Sequence, residues 1–351
     1  MNRRHLFAIA GVSAAARATA MTQSQHTVNR SVSGLPPRKV IVGTSMRAFW
    51  GNHPGVEKRL DELMGLIDAM QEESLRKYGR GVDLAILSET TVSGEAGGNA
   101  LACAIPLDGP FSRAFSQKAR SYGCYVVAPT YLLESAKSCS NAAVLFSRQG
   151  HVAGVYRKVH LVVSPEGTRM EGGAAPGKEY PVFSCDFGKL GIQICYDMQF
   201  GRGWQELASK GAELIAWPSQ SPQTTQPAAR AIDLRCYIVS STWRHNASVF
   251  EPTGKILAQI KPPGQVLVQE IDLSYAILPW SAKLRNGKAL EERYGPRIGY
   301  RYYEDEDCGI FWSNDPRTPV RAMVRQAGLL EAEEQLASVR DVYRRAGMTN
   351  F

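Results

Sequence analysis

From Lys39 onward, short apolar runs alternate with longer amphipathic stretches, and this alternation constrains the fold more than any other feature of the sequence. Residues 39–44 form a β-branched run typical of a strand. Residues 82–87 form another apolar run, too short for a helix and suited to a strand buried on both faces. Between them, apolar residues recur at the i, i+3, i+4, i+7 spacing of a helix with one buried face: Leu60, Leu63, Met64 and Ile67. The pattern predicts a layered α/β fold.

The same pattern continues to about residue 271. Further strands are predicted at residues 124–128, 142–146, 152–156, 181–185, 190–194, 213–217, 237–241, 248–251, 256–260 and 266–271. Further helices are predicted near residues 109–122, 203–210 and 226–235.

Composition limits the functions that this chain can have. With 351 residues, of which 44% are hydrophobic and 21% charged, it has the composition of a globular protein with a core. The net charge of +8 is spread over interleaved acids and bases without a basic run, so we expect no nucleic-acid partner. No apolar stretch reaches the ~18 to 20 residues that cross a bilayer, so we expect no membrane span. The 7 cysteines include no CxxC pair, which argues against a structural zinc site and a redox motif.

The first twenty residues resemble an export signal. Arg3-Arg4 precedes a short apolar stretch, and Ala18-Thr19-Ala20 has the form of a cleavage site. The paired arginines favour a twin-arginine signal and a periplasmic or secreted protein. Met21 follows immediately, so an alternative start there would make the protein cytoplasmic. Residues 21–38 are rich in Ser, Thr, Gln and Pro and are interpreted as a linker.

Three reactive side chains stand where predicted strands end. Glu89, Lys158 and Cys195 each follow a short apolar or β-branched run. Ligands of α/β sheets bind at strand ends, where loops converge on a rigid frame, so these side chains could meet. Cys195 is placed like the serine of a hydrolase elbow, with a predicted buried strand before it and a predicted helix soon after.

The motifs around these residues resemble those of the nitrilase superfamily of carbon-nitrogen hydrolases. The resemblance is carried by residues 85–89 (AILSE), 156–161 (YRKVHL) and 191–197 (GIQICYD), in the family's order, and covers about residues 39–275. It implies an α-β-β-α four-layer sandwich whose protomers pair, hence a homodimer or higher homo-oligomer. Residues 276–351 would then be a C-terminal extension, which either wraps a partner protomer, covers the active-site mouth or packs on its own sandwich.

The resemblance also implies a role for each motif residue. Cys195 would be the nucleophile, Glu89 the general base and Lys158 the electrostatic stabiliser, with the backbone N–H of Tyr196 as a second oxyanion donor. Glu166 lies where many members place a second glutamate that orients the substrate and the lysine. Glu171 competes for that role, and the spacing favours Glu166.

The sequence departs from the family pattern at two places. Ser88 stands where a proline commonly precedes the first glutamate, and Phe200 is followed by Gly201 and Arg202 instead of Pro-Glu. Arg202 is a candidate for pairing with an anionic substrate group, although a surface role is the more common one for such a residue. Trp217 is expected to line the substrate pocket.

The sequence predicts neither a metal nor a dinucleotide cofactor. His160 and His245 are interpreted as structural histidines, and no clustered ligand motif accompanies them. The glycine-rich turns lack the rest of a nicotinamide or flavin fingerprint.

These observations leave three functional hypotheses. The first is a hydrolase of small amides, carbamoyl compounds or nitriles that works through a cysteine thioester. The second is an acyltransferase that passes the same thioester to an amine. The third is a non-catalytic scaffold, which is disfavoured because all three triad residues are present.

Overall fold

The computed structural model describes residues 36–350. The predicted export signal and almost all of the predicted linker lie outside the described residues.

The first sheet has seven strands: β1 (Lys39–Ser45), β2 (Leu84–Ile86), β3 (Ile105–Pro106), β4 (Tyr125–Ser135), β5 (Ser138–Phe146), β6 (Val152–Arg157) and β13 (Val266–Asp272). Their order is β13-β1-β2-β4-β5-β6, with β3 paired to β4. Helices α1 (Val56–Tyr78) and α2 (Pro110–Tyr122) belong to this half of the chain.

The second sheet has six strands: β7 (Val182–Cys185), β8 (Gly188–Ile192), β9 (Leu214–Pro218), β10 (Tyr237–Ser241), β11 (Ala247–Phe250) and β12 (Ile256–Ile260). They lie in the order β12-β11-β10-β9-β8-β7. Helices α3 (Gly201–Ser209) and α4 (Thr225–Leu234) accompany this sheet.

The side-chain clusters give the order of the layers. Val40 and Val42 of β1 share one buried cluster with Leu190 and Ile192 of β8, so the two sheets pack face to face. Ile41, on the opposite face of β1, joins the cluster of α1 and α2. The α3 and α4 side chains pack against the second sheet. The predicted α-β-β-α sandwich is confirmed.

The glycine at position 43 of β1 leaves room for Met70 of α1 to pack closely on the first sheet. A Cβ built on Gly43 would lie 2.9 Å from Met70 Sδ of α1, a distance that forces a shift. The apolar residues whose spacing predicted this helix lie on its buried face. Leu60, Leu63 and Ile67 are all buried.

Parallel strands in both sheets bring their carboxyl ends to one region. β1, β2 and β4 run parallel in the first sheet, and β8, β9 and β10 run parallel in the second. A bridge between Met46 and Thr242 joins the loops that follow β1 and β10. Loops from both sheets therefore converge at this end of the sandwich.

The end of the chain forms a smaller unit with its own core. It contains β14 (Tyr275–Pro279), β15 (Ile298–Tyr303), β16 (Cys308–Ser313), α5 (Lys288–Tyr294), α6 (Val320–Gln326) and α7 (Ala332–Arg345). The strands form an antiparallel sheet in the order β14-β16-β15. Arg301 of β15 reaches the sandwich through a 2.6 Å ion pair with the buried Glu251. The unit therefore packs on its own sandwich, and contact with a second protomer stays a prediction.

Between residues 36 and 350, no helix has both the length and the apolar character needed to cross a membrane.

Candidate active site

Glu89 follows β2 and is almost completely buried, with an exposed fraction of 2%. Its Oε1 accepts hydrogen bonds from Lys158 Nζ at 2.8 Å and from Asn141 Nδ2 at 2.9 Å. Its Oε2 accepts from the backbone N–H of Gln220 at 3.1 Å. Trp243 Nε1 donates to the Glu89 carbonyl at 2.8 Å, which fixes the backbone beneath the carboxylate.

Lys158 follows β6, and its ammonium lies between two carboxylates. Its Nζ is 2.8 Å from Glu89 Oε1 and 2.9 Å from Glu171 Oε2, while its backbone N–H donates to the Asn141 carbonyl at 2.8 Å. Burial opposes the charge of this group, but the charges of Glu89 and Glu171 raise the pKa of Lys158 above its ordinary value. The lysine is therefore cationic throughout the neutral range.

Cys195 stands on a strained turn just after β8. Its φ is 42°, in the left-handed region that side chains rarely adopt. Trp217 Nε1 donates to its carbonyl at 3.1 Å, which stabilises this backbone conformation. The half-buried thiol hydrogen-bonds with Glu89 and Ser219. Burial and then the charge of Glu89 raise the pKa of Cys195 to about 12, so the resting group is a thiol.

Tyr196 supplies the next backbone N–H, at the start of the 3₁₀ turn Cys195–Gln199. The first N–H groups of a helix have no acceptor within it, so they can donate to a ligand. The tyrosine ring itself is exposed and makes an edge contact with Phe200 at 5.7 Å between ring centroids.

Glu171 occupies the second carboxylate position that spacing assigned to Glu166. Besides Lys158, it accepts hydrogen bonds from Asn141 Nδ2 and from Tyr131 OH. Burial, together with the charge of Glu89, outweighs the charge of Lys158 and raises the pKa of Glu171. Glu166 is exposed at the tip of the loop. The expectation that Glu166 lies beside the lysine is therefore corrected to Glu171.

The folding of residues 162–171 explains this correction. Val163 and Met170 form a bridge, and the Ser164 N–H donates to the Arg169 carbonyl at 2.8 Å. The segment is thus a small hairpin whose tip carries Glu166 and whose returning arm carries Glu171. Counting residues from Lys158 cannot distinguish an outgoing arm from a returning one.

Asn141 belongs to the site and was missed by the sequence analysis. It is fully buried on β5, and its Nδ2 donates to both Glu89 and Glu171. The available signal was an amide side chain within the strand SCSNAAVLF, among residues that the fold buries.

Of the two predicted substrate contacts, Trp217 is placed differently by the structure and Arg202 is not contradicted by it. Trp217 is fully buried behind the nucleophile, where it supports the Cys195 backbone instead of lining a pocket. Arg202 is exposed at the start of α3 and lines a groove of about 570 Å³ with Val159, His160 and Tyr180. Trp217 therefore has a structural role, whereas substrate binding by Arg202 stays a prediction.

This arrangement can perform nucleophilic chemistry on a carbonyl group. It combines a thiol, a carboxylate in contact with it and a buried ammonium that can stabilise a developing oxyanion. Among residues 36–350, no cluster of three or more His, Cys, Asp or Glu side chains could hold a metal ion.

Comparison with known proteins identifies the family of this chain. The carbon-nitrogen hydrolase family matches residues 48–278. An omega-amidase of Danio rerio is 27% identical over 219 residues, which span 56% of this chain and 79% of the relative. The deaminated glutathione amidase of Homo sapiens is 30% identical over 198 residues, which span 48% of this chain and 60% of the relative.

Solved structures share the fold. A carbon-nitrogen hydrolase from Helicobacter pylori aligns with a TM-score of 0.56 and 21% identity, over 67% of this chain and 90% of its own. An amidase of Nesterenkonia from the nitrilase superfamily aligns with a TM-score of 0.54 and 19% identity, over 66% of this chain and 90% of its own. Because the family match covers well over half of its residues, the chain belongs to the carbon-nitrogen hydrolase family.

Proposed function

We propose that this protein hydrolyses small non-peptide amides through a thioester on Cys195, with Glu89 as the proton carrier and Lys158 as the oxyanion stabiliser. The observation that carries the proposal is the contact of Glu89 with both partners. Its carboxylate hydrogen-bonds with the Cys195 thiol and accepts from Lys158 Nζ at 2.8 Å.

In the first step, the Cys195 sulfur attacks the amide carbon while its proton passes to Glu89. The thiol needs this base because its raised pKa leaves little thiolate near neutrality. The carbonyl π electrons move to oxygen and form an oxyanion. Two of the three Lys158 N–H groups face carboxylates, so the third can donate to that oxygen together with the Tyr196 N–H.

In the second step, Glu89 returns the proton to the nitrogen as the carbon-nitrogen bond breaks. Ammonia or an amine leaves, and the acyl group remains as a thioester. Glu89 then removes a proton from water, which attacks the thioester carbon. The thiol is regenerated with that proton and the carboxylic acid departs. One carboxylate thus acts alternately as base and acid.

The two curated relatives described above are named as amidases, and this supports an amide as the substrate ahead of a nitrile or a carbamoyl compound. The carboxylate of Glu171 beside Lys158 favours an amide or a carbamoyl compound over a nitrile, because an acceptor near the site can bind a substrate N–H and a nitrile has none.

The test is to incubate the purified protein with a library of amides, nitriles and carbamoyl compounds. We expect an acyl adduct on Cys195 in the intact mass, together with release of ammonia. Cys195→Ala should show neither, and Cys308→Ala, which changes another half-buried thiol, should behave like the wild type. Equal behaviour of wild type and Cys195→Ala toward every compound would exclude the proposal. Hydroxylamine in place of water would reveal acyl transfer as the dominant reaction.

We also propose that residues 1–20 direct export. The supporting pattern is Arg3-Arg4 before the apolar stretch and the Ala18-Thr19-Ala20 site. Replacing both arginines with lysine should retain the full chain in the cytoplasm. A wild-type chain found only in the cytoplasm, with Met21 as its first residue, would contradict the proposal.

A further inference from the structure

We propose that Asp197 is a positioning residue that sets the location of Lys158 relative to the Cys195 thiol. The inference rests on the proposed function, because it assigns a role in the same site. Asp197 is fully buried and lies two residues after the nucleophile.

One oxygen of the Asp197 carboxylate is hydrogen-bonded to the turn that carries Cys195. Its Oδ2 accepts from the backbone N–H of Ile194 at 3.0 Å, and Ile194 immediately precedes Cys195. The Asp197 N–H donates back to the Ile194 carbonyl at 3.0 Å. Trp204 Nε1 of α3 donates to the Asp197 carbonyl at 3.0 Å. The two ends of the turn are therefore hydrogen-bonded to each other, and the turn is also hydrogen-bonded to helix α3.

The same carboxylate accepts hydrogen bonds from the segment that carries Lys158. Tyr156 OH donates to Oδ2 at 2.7 Å, and His160 donates to Oδ1 at 2.9 Å from both its backbone N–H and its Nδ1. Tyr156 lies two residues before Lys158, and His160 lies two residues after it. Burial and the neighbouring Asp197 raise the pKa of Tyr156, so its hydroxyl remains a donor.

This bridge matters because no strand ladder connects the two segments. Lys158 follows β6 at the edge of the first sheet, whereas Cys195 follows β8 inside the second sheet. The distance from the lysine ammonium to the thiol therefore depends on contacts between the sheets. A displacement of about 1 Å in such a constellation can cost about 100-fold in rate.

The chemistry of Asp197 suits positioning better than proton transfer. Four donors converge on its two oxygens, from Ile194, Tyr156 and two groups of His160. Charge-assisted hydrogen bonds of this kind are short and directional, so they define the separation of the segments that they join.

The histidine offers a matched pair of variants. His160→Leu removes the side-chain donor, whereas His160→Asn places an amide N–H close to the position of Nδ1. Both variants lose the ring stacking on Phe200, whose centroid lies 3.9 Å from that of His160. A difference between them therefore reports the hydrogen bond to Asp197 and not the stacking.

Tyr156→Phe and Asp197→Asn complete the set, with Tyr300→Phe as the control. Tyr300 OH donates to Glu291 at 2.9 Å in the C-terminal unit. Its replacement therefore removes another tyrosine–carboxylate hydrogen bond, at a position far along the chain from Asp197. Each variant is assayed for kcat and KM on an amide, for the alkylation rate of Cys195 with iodoacetamide and for thermal unfolding.

We expect kcat to fall about 10-fold in His160→Leu and Tyr156→Phe and about 100-fold in Asp197→Asn, with KM nearly unchanged. Alkylation should slow in the same order, because Lys158 lowers the pKa of the Cys195 thiol and its displacement removes that effect. His160→Asn and Tyr300→Phe should stay close to the wild type.

Two results would overturn the inference. One is unchanged kcat and alkylation in the folded variants. The other is a loss of thermal stability with wild-type kcat and alkylation per folded molecule, which would indicate a structural role alone. If the wild type hydrolyses no amide while the variants still slow alkylation, the proposed function fails and the positioning role stands. If Asp197→Asn does not fold, Tyr156→Phe and the His160 pair decide the question.

Discussion

The Lys158 ammonium lies 2.8 Å from Glu89 and 2.9 Å from Glu171, so a single cation forms ion pairs with two carboxylates. The cluster carries an excess of negative charge around the thiol. In the resting site this negative charge stabilises the protonated forms of Lys158 and Cys195, because a nearby carboxylate raises the pKa of the groups beside it.

Glu89→Gln should make Cys195 more acidic while abolishing amide hydrolysis. After burial, the Glu89 charge is the largest cause of the raised pKa of Cys195, and its removal lowers that pKa. Hydrolysis is lost because no base accepts the thiol proton. Iodoacetamide alkylation measured against pH should show its inflection at lower pH than the wild type. An inflection at the wild-type position would contradict the assigned charge coupling.

Glu171→Gln should reduce kcat about 100-fold, because it removes a carboxylate that orients Lys158. Glu166→Gln is the matched control, since Glu166 is exposed and should retain wild-type kcat. Steady-state kinetics on one amide measure both variants. The reverse ranking would restore Glu166 to the role that residue spacing gave it.

Glu171 should also influence how stability varies with pH. Burial raises its pKa in the folded state, so the folded protein favours the protonated carboxyl. Stability from this group is fully present below the unfolded pKa of about 4.3 and is lost as the pH rises through the folded pKa. The melting temperature of the wild type should therefore fall relative to that of Glu171→Gln as the pH rises from the unfolded to the folded pKa. A difference in melting temperature that does not depend on pH would contradict this assignment.

Asn141→Leu should raise the pKa of Glu171 further and lower kcat. The Asn141 hydrogen bond is among the interactions that lower the pKa of this carboxyl, and its loss leaves burial less opposed. We expect the acidic limb of the kcat profile to move to higher pH. Asn141→Ser, which can still donate, should give a smaller displacement, and equal profiles for both variants would argue against the hydrogen bond.

The Glu251–Arg301 ion pair should stabilise attachment of the C-terminal unit. Glu251 is fully buried and Arg301 is partly exposed, so Arg301→Met leaves a buried charge and should cost about 3 kcal/mol. Lys255→Met, which affects a pair with the exposed Asp305, should cost less. Urea unfolding compares the two variants. A larger loss of stability in Lys255→Met would show that burial does not determine how much these ion pairs contribute to the free energy of unfolding.

The sequence identified Glu89, Lys158 and Cys195 because their signals are local. Each residue follows a short apolar run, and a strand end can be recognised within about six residues. The layered fold was predictable for the same reason, since the spacing that placed Leu60, Leu63 and Ile67 on one helix face depends only on neighbours along the chain.

Only the tertiary structure decided which other groups complete the site. The choice between Glu166 and Glu171 depends on a hairpin that returns the chain toward Lys158. The roles of Asn141 and Trp217 depend on contacts with residues 52 and 22 positions away. Asp197 joins segments from two sheets that share no ladder. Local patterns specify strands and their ends, whereas contacts between distant segments are fixed by how the layers pack, and short-range spacing carries no information about that packing.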